Sequence, residues 1–251
     1  MAILGKILKN SAGNKLYEAR YVKLFWKGYI LELRQAILGR RSIRAYKPDP
    51  VPLELLRDIL EAAKWAPSFA NTQPWEFTVI GGEAMKELRV KLREAFEKDP
   101  KGKPDFPWPV LDEPFMSRLR QVGFTALNAA GIPREDLAKR KEWRMFAVGF
   151  FDAPNAIVIS LDRCFTAWGI HDVGMITFAL MLLAYERGLG TCPQAAQVRY
   201  PWIVREMLQI PPKKLLLVSL PIGYPDWGVA VNSFTRSRVS LEENVSWKGF
   251  L

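Results

Sequence analysis

Histidine and cysteine are scarce in this sequence, and their scarcity excludes most metal and hydrolytic chemistry. The 251 residues include a single histidine, His171, and two cysteines, Cys164 and Cys192. A zinc site needs about four Cys, His or carboxylate ligands at compatible spacing, and the sequence has no such cluster. A serine or cysteine hydrolase would depend on His171, which we expect to cap or pack an apolar helix. We therefore expect no metal site and no catalytic side chain, with the demanding chemistry left to an organic cofactor.

A hydrophobic run long enough to span a bilayer is also lacking. The longest run, Val173 to Tyr185, contains Gly174 and Thr177 and is shorter than the roughly 20 residues that a spanning helix needs. Residues 1–8 carry no long apolar segment of the kind that marks a secretory signal. We therefore expect a cytoplasmic protein whose cysteines are reduced.

Positive charge is in excess, with 36 Lys and Arg against 26 Asp and Glu. Half of the net charge of +10 lies in residues 1–38, and no fold signature of a nucleic-acid-binding protein accompanies it. Acidic small molecules are therefore expected as partners, and nucleic acid is not. Residues 1–38 also carry aromatic residues at helical spacing, which predicts a basic, aromatic helical arm. A packed arm is favoured, with peripheral membrane contact as the alternative.

The remaining residues, 39–251, contain no internal repeat and no low-complexity linker, which predicts one domain of α/β or α+β type. Hydrophobic periodicity predicts helices over 52–65, 83–98, 115–130, 134–147 and 172–187, and strands over 75–80, 156–161 and 215–222. Between them, the loop 99–114 carries five prolines around Phe106 and Trp108. Loops of this length inside compact domains are uncommon and often functional.

Two arginine-rich motifs offer donors for a phosphate. The first, RRSIR at 40–44, combines three guanidinium forks with a hydroxyl, and such forks match phosphate oxygens. The second, NSFTRSR at 232–238, carries Arg236 and Arg238 and could close the same site from the C-terminal tail. A solvated basic turn and a solvated tail are the alternatives.

Two further motifs offer groups for a planar ring. In APSFANTQPWEF at 66–77, the amides of Asn71 and Gln73 match the alternating donors and acceptors of a flavin pyrimidine edge. Such residues also commonly do no more than cap turns. In GLGTCPQAA at 188–196, two glycines allow a close backbone turn whose N–H groups could face a ring. Cys192 has no basic neighbour in the sequence and is expected to be packed and unreactive.

In their order and spacing, these motifs resemble those of the FMN-dependent nitroreductase family. The resemblance runs from about Leu38 to the C-terminus and is carried by RRSIRAY at 40–46, APSFANTQPWEF at 66–77, GLGTCPQ at 188–194, and IGYPD followed by the tail arginines. The segment 118–154, together with TCPQAA, most resembles the nitrobenzoate-reductase branch. The resemblance implies an α+β fold, with a mixed sheet flanked by helices, in an intertwined homodimer with two FMN sites at its interface.

The same resemblance implies roles for individual residues. Expected on the phosphate and ribityl chain are Arg40, Arg41, Ser42 and Arg44, with Arg236 and Arg238 reaching the phosphate from the tail. Expected on the flavin ring are Pro67, Ser68 and Asn71 from the opposite subunit, with Gln73 nearby, and Pro193, Gln194 and Ala195 with a backbone N–H facing N5. The neutral Gln194 and Ala195 depart from the acidic residue that the family often has near N5, which leaves flavin tuning and substrate preference open.

The function implied is that of an FMN-dependent NAD(P)H oxidoreductase that reduces nitroaromatic or quinone-like small molecules. NADH or NADPH gives hydride to flavin N5 and leaves, and an oxidant then takes its place, so ping-pong kinetics are expected. Phe106 and Trp108 are expected in a substrate lid. The alternatives are a specialised flavoprotein of the same fold, such as a reductive dehalogenase or a dehydrogenase, and a flavin-binding or membrane-associated module with incidental activity.

Overall fold

A computed structural model describes residues 31–250 of the chain. Residues 39–251 form one compact unit, which contains the sheet. Most of the helical arm predicted over residues 1–38 lies outside the described residues. The arm and the domain boundary after residue 38 therefore remain predictions.

The described residues form seven α-helices and four strands, most of them within a few residues of the predicted bounds. The helices are α1 (Leu33–Gly39), α2 (Leu53–Ala63), α3 (Gly82–Lys98), α4 (Phe115–Ala129), α5 (Leu137–Val148), α6 (Ala167–Glu186) and α7 (Pro201–Leu208). The strands are β1 (Trp75–Ile80), β2 (Asn155–Asp162), β3 (Gly190–Thr191) and β4 (Lys214–Gly223). This composition confirms the predicted α+β class.

The four strands form one sheet in the order β1-β2-β4-β3, and each neighbouring pair is antiparallel. In the first pair, Trp75 lies opposite Leu161. Among the described residues, the one parallel pairing is an isolated bridge between Ser42 and Thr191 of β3. The predicted mixed character of the sheet therefore comes from the arginine motif at its edge, because the strands themselves alternate in direction.

Helices cover both faces of the sheet because β2, one of its two central strands, is apolar on both sides. Ile157 and Ile159 belong to one core, which includes residues of α2 and α6. Ala156 and Val158 belong to a second core, which includes residues of α3 and α7. Successive side chains of a strand point to opposite faces, so this alternation places one core on each side of the sheet.

Helix α6 begins at Ala167 rather than at the predicted Asp172. His171 therefore lies inside the helix with its side chain 64% exposed, and the expectation that it caps or packs the helix is wrong. Within the described part of the chain, α6 is the one helix that is long and apolar enough to cross a membrane, judged by length and composition alone. Its residues Ile176 and Leu180 lie in the core beside the sheet, as in the central helix of many globular domains.

Helix α7 and strand β3 were not among the predicted elements. Helix α7 has eight residues, with Pro201 at its start, and is shorter than the window over which helical periodicity can be read. Strand β3 has two residues. Both elements depend on tertiary neighbours rather than on a local sequence pattern.

Candidate functional site

The two arginine-rich motifs line one cavity of about 980 Å³, although nearly 200 residues of sequence separate them. Helix α4 and the segment that leads into the C-terminal tail complete its wall. The predicted residues that line the cavity are Arg40, Arg41, Ser42, Arg44, Arg236 and Arg238. The structure thus brings together all the residues that the sequence assigned to a phosphate.

The first arginine motif is held at the edge of the sheet by the third motif. The backbone N–H of Ile43 donates to the carbonyl of Thr191 at 2.9 Å, beside the bridge between Ser42 and Thr191. The approach is close because residue 190 is glycine: a Cβ there would lie 2.4 Å from Cγ1 of Ile43. The glycine-rich motif therefore positions the phosphate motif as well as its own turn.

Asn232 joins the C-terminal tail to the first arginine motif. Its side-chain oxygen accepts hydrogen bonds from the N–H groups of Arg44, at 2.7 Å, and Ala45, at 3.3 Å. Its amide nitrogen donates to the carbonyls of Ala45, at 2.7 Å, and Asp226, at 2.8 Å. The residue is 1% exposed. Sequence reasoning placed Asn232 in the tail motif but gave it no role, because these partners are defined by the fold.

Three of the arginine side chains also contact the backbone or a ring across the cavity wall. Nη1 of Arg41 donates to the carbonyl of Asn232 at 2.9 Å. The Arg44 guanidinium lies 5.6 Å from the centre of the Phe234 ring, within the range of a cation–π contact. Arg236 donates to the carbonyl of Arg40. These contacts hold the guanidinium groups around the same space.

Two arginines of this cavity, Arg40 and Arg236, have a lowered pKa. Burial, and then the charge of Arg238, lower the pKa of Arg40. Burial, and then the charges of Arg41, Arg40 and Arg238, lower the pKa of Arg236. In addition, Nε of Arg40 is one of two buried side-chain atoms among the described residues with no hydrogen-bond partner. A phosphate dianion would offset the repulsion and supply acceptors, so the donor set fits such a group.

The second motif forms a strained turn between α2 and β1. Ala70, Asn71 and Gln73 all have positive φ, of 47°, 57° and 48°. Such conformations are costly for non-glycine residues and cluster at functional sites. Hydrogen bonds hold the turn: the N–H of Gln73 donates to Oγ of Ser68 at 3.0 Å, and the N–H of Phe69 donates to the carboxylate of Asp172 at 3.1 Å. Pro67, Asn71 and Gln73 are exposed, which leaves them free to contact a ligand or a partner.

The third motif begins where α6 ends. Gly188 has a φ of 73°, the left-handed conformation that commonly terminates a helix, and glycine adopts it at no steric cost. Cys192 is buried next to the arginine motif, and burial raises the pKa of its thiol despite the lowering charge of Arg44. The side chain is therefore a protonated packing residue at neutral pH. Gln194 then pairs with Ser219 of β4 through two backbone hydrogen bonds of 2.8 Å.

Within a single chain, the residues assigned to the flavin ring do not line the arginine cavity. The described residues in this group are Pro67, Ser68, Asn71 and Gln73 in the strained turn, and Pro193, Gln194 and Ala195 beside β4. The family resemblance assigns the first set to the opposite subunit, and neither set lies on the cavity wall of one chain. Their contact with a ring remains a prediction.

Gln197, which the sequence did not single out, links the third motif to the end of α5. It is fully buried, and Nε2 donates to the carbonyls of Ala147, at 2.7 Å, and Val148, at 3.1 Å, at the end of α5. Its Oε1 accepts from Oγ of Ser219 at 2.5 Å. Carbonyls in the last turn of a helix lack the usual intrahelical donor, and Gln197 supplies one to each, beside the Gly149 N–H that the Ala147 carbonyl also accepts. Nothing in the local sequence indicates this role.

Replacing Gln197 with leucine is expected to lower the free energy of unfolding by about 1–3 kcal/mol, because buried carbonyls lose their donor. Chemical denaturation of the single variants and of the double variant with Ser219→Ala measures the effect. Since the two side chains bond to each other, we expect the two losses to be non-additive. Strictly additive losses would show that the hydrogen bond between them contributes nothing.

The predicted lid residues lie away from the arginine cavity within one chain. Phe106 packs against the core under α2 and α6, and the loop beside it is anchored where the carboxylate of Asp105 accepts from the N–H of Leu216 at 2.8 Å. Trp108 is 48% exposed, and the guanidinium of Arg199 lies 5.0 Å from its ring centre. The lid remains a prediction, and an unchanged KM for every oxidant in Trp108→Ala would reject it.

Comparison with known proteins places this geometry in context. A family model described as "Nitroreductase family" matches residues 37–224. A chloronitrobenzene nitroreductase of Comamonas testosteroni is 35% identical over 82% of this chain and 92% of its own length. A 4-nitrobenzoate reductase of Pseudomonas putida is 29% identical over 85% and 94%. The crystal structure of an FMN- and NADPH-dependent nitroreductase, NfnB from Sphigopyxis sp. strain HMH, is 33% identical with a TM-score of 0.85 and covers 88% of this chain and 100% of its own. The resemblance read from the motifs is thereby confirmed.

Proposed function

Because the chain belongs to the nitroreductase family, we propose that it is an FMN-dependent NAD(P)H oxidoreductase that reduces nitroaromatic and quinone-like small molecules. The observation that supports this most directly is the arginine cavity. Two distant motifs converge there, and Nε of Arg40 is buried with no partner within the described chain. The similar proteins named above are nitroreductases, and the solved structure among them is that of an FMN- and NADPH-dependent enzyme.

The residues of the cavity fit the phosphate end of FMN. Arg40, Arg41, Arg44, Arg236 and Arg238 would hold the phosphate, since guanidinium forks form charge-assisted hydrogen bonds to its oxygens. Ser42 would donate a neutral hydrogen bond beside them. When bound, FMN supplies the two-electron chemistry between the nicotinamide and the oxidant.

The protein's contribution to the chemistry is binding and orientation. The exposed turn that contains Pro67, Ser68 and Asn71 would complete the ring site from a second subunit. A homodimer therefore forms part of the proposal. Large apolar side chains next to this turn support it, since Phe69 and Trp168 stack at 5.9 Å between ring centres and are 59% and 64% exposed. Sedimentation at the mass of two 28.7 kDa chains tests it, and a monomer that retains full activity would reject it.

Steady-state kinetics with NADPH and nitrobenzene test the reaction. We expect parallel lines in double-reciprocal plots, because donor and oxidant would occupy the same place in turn. A nitroaromatic reduced at a rate no higher than that of free FMN with NADPH would contradict the proposal. Replacement of NADPH by NADH in the same assay identifies the preferred donor.

A further inference from the structure

Helix α4 contributes a polar wall to the arginine cavity that the FMN phosphate does not account for. Arg118, Gln121 and Thr125 line the cavity, and their spacing places them on one face of the helix. They face the same space as the RRSIR motif and the tail arginines. The guanidinium of Arg118 and the side-chain amide of Gln121 are donors suited to an oxyanion. The Thr125 hydroxyl, which donates to the backbone carbonyl of Gln121 at 2.9 Å, joins them when it rotates towards the ligand.

The cavity has room for more than a phosphate and a ribityl chain. Its volume of about 980 Å³ lies at the upper end of the roughly 300–1,000 Å³ found for sites that hold a whole drug-sized ligand. The residues assigned to the flavin ring lie outside this cavity, so only the phosphate end of FMN would enter it. Space along the α4 wall therefore remains for a second group.

The charge of the cavity also exceeds what one phosphate balances. Six arginines line it, and Glu243 is the one carboxylate among its lining residues. A phosphate monoester carries a charge of about −1.5 to −2 at neutral pH. Cationic side chains would therefore remain in excess after FMN binds, and Arg118 is the one that stands on the α4 wall.

Arg118 has a partner that an incoming anion can replace. Its Nη2 lies 3.3 Å from Oε2 of Glu243, with the two side chains 39% and 54% exposed. Exposed ion pairs contribute little to stability, so little free energy is lost when a ligand oxyanion replaces the Glu243 carboxylate as the partner of Arg118. Glu243 would then act as a competitor that limits how tightly the wall holds an anion.

We propose that Arg118, Gln121 and Thr125 form a second oxyanion subsite that selects co-substrates carrying a phosphate or a carboxylate. Two sources carry this chemistry: the 2′-phosphate that distinguishes NADPH from NADH, and the carboxylate that distinguishes 4-nitrobenzoate from nitrobenzene. The inference rests on the proposed function, since the co-substrates are those of a nitroreductase. The subsite would make the enzyme prefer the member of each pair that carries the additional phosphate or carboxylate.

The test uses the FMN-loaded protein and three variants, Arg118→Ala, Glu243→Gln and Arg120→Ala. Arg120 is the matched control because it stands on the same helix, pairs with Glu113 at 3.5 Å and is not among the residues that line the cavity. Calorimetry gives Kd for NADP⁺ and NAD⁺, and steady-state assays give KM for 4-nitrobenzoate and nitrobenzene. FMN content is measured first in every variant.

For at least one pair, Arg118→Ala is expected to reduce the preference for the anionic member about tenfold, the effect of losing one charge-assisted hydrogen bond. Glu243→Gln is expected to increase the same preference, and Arg120→Ala to leave it unchanged. The pair that responds identifies the source, the dinucleotide phosphate or the substrate carboxylate.

Unchanged preferences for both pairs in Arg118→Ala would overturn the subsite. So would a loss of FMN affinity as large as that caused by removing Arg238, because the α4 wall would then belong to the FMN phosphate site. A wild-type protein that cannot be loaded with FMN would instead overturn the proposed function, so the two failures are distinguishable.

Discussion

Replacing Arg238 with alanine is expected to weaken FMN binding roughly 10- to 100-fold, the effect of losing a hydrogen bond between charged groups. The same change should leave the FMN-free protein as stable as before or slightly more stable. The reason is that Arg238 is exposed and donates to the neighbouring carbonyl of Ser237, while its charge lowers the pKa of the half-buried Arg40. Removing Arg238 thus removes repulsion from the empty cavity and attraction from the filled one.

Fluorescence titration of FMN and urea denaturation of the FMN-free protein measure the two effects of Arg238→Ala. Arg163→Ala is the control, because Arg163 is exposed, donates to the carbonyl of Pro212 and does not line the cavity. We expect Arg163→Ala to leave FMN affinity unchanged. Equal losses of FMN affinity in both variants would indicate a general effect of net charge and contradict the assignment of the arginine cavity.

Replacing Asn232 with alanine is expected to lower the free energy of unfolding by about 2–4 kcal/mol, among the larger effects of single substitutions. Its side chain makes four hydrogen bonds to the backbone at a position that is 1% exposed. The alanine would leave the half-buried N–H groups of Arg44 and Ala45 without their acceptor, while the carbonyl of Ala45 would keep the N–H of Asp226 at 3.0 Å. Because the tail would also separate from the RRSIR motif, FMN affinity should fall with stability.

Urea denaturation of Asn232→Ala and of the exposed control Asn244→Ala checks this expectation. Asn244 lies in the same C-terminal segment but follows a short exposed turn. We expect its replacement to change stability by no more than about 0.5 kcal/mol, as for most surface positions. Similar losses in the two variants would show that the tail is not held by Asn232.

The convergence of the two arginine motifs on one ligand could be predicted because each motif consists of neighbouring residues that suit the same ligand. Several guanidinium groups within a few residues suit one kind of ligand, whatever fold presents them. The strained turn at Asn71 and Gln73 and the glycine turn at Gly188 were also recognisable, since turn residues have specific backbone preferences. These local signals make the site motifs recognisable from the sequence alone.

The residues that hold the site together could not be predicted, because their partners are distant in sequence. Asn232 forms a hydrogen bond with Ala45, and Gln197 forms one with Val148. The residues of each pair are far apart in the sequence and meet only in the folded chain. The start of α6 was misplaced for a related reason. Its first turn mixes Trp168, Gly169 and His171, and the helix forms there because tertiary packing extends it beyond its apolar run.

The α4 wall was missed because its residues carry no motif. Arg118 and Gln121 stand on a charged helix whose polar positions all look alike in the sequence. The fold makes Arg118 a lining residue and leaves Arg120 outside the cavity. Selectivity for co-substrates therefore depends on the orientation of a helix, a property that short motifs do not encode.

The central claim, that this chain binds FMN and passes electrons from a nicotinamide, is tested most directly by the absorbance spectrum of the purified protein before and after anaerobic addition of NADPH or NADH. We predict flavin bands at about one FMN per chain that bleach within seconds, as expected when the cofactor carries the chemistry. A colourless protein that takes up no FMN, or a bound flavin that neither donor reduces, would contradict the account.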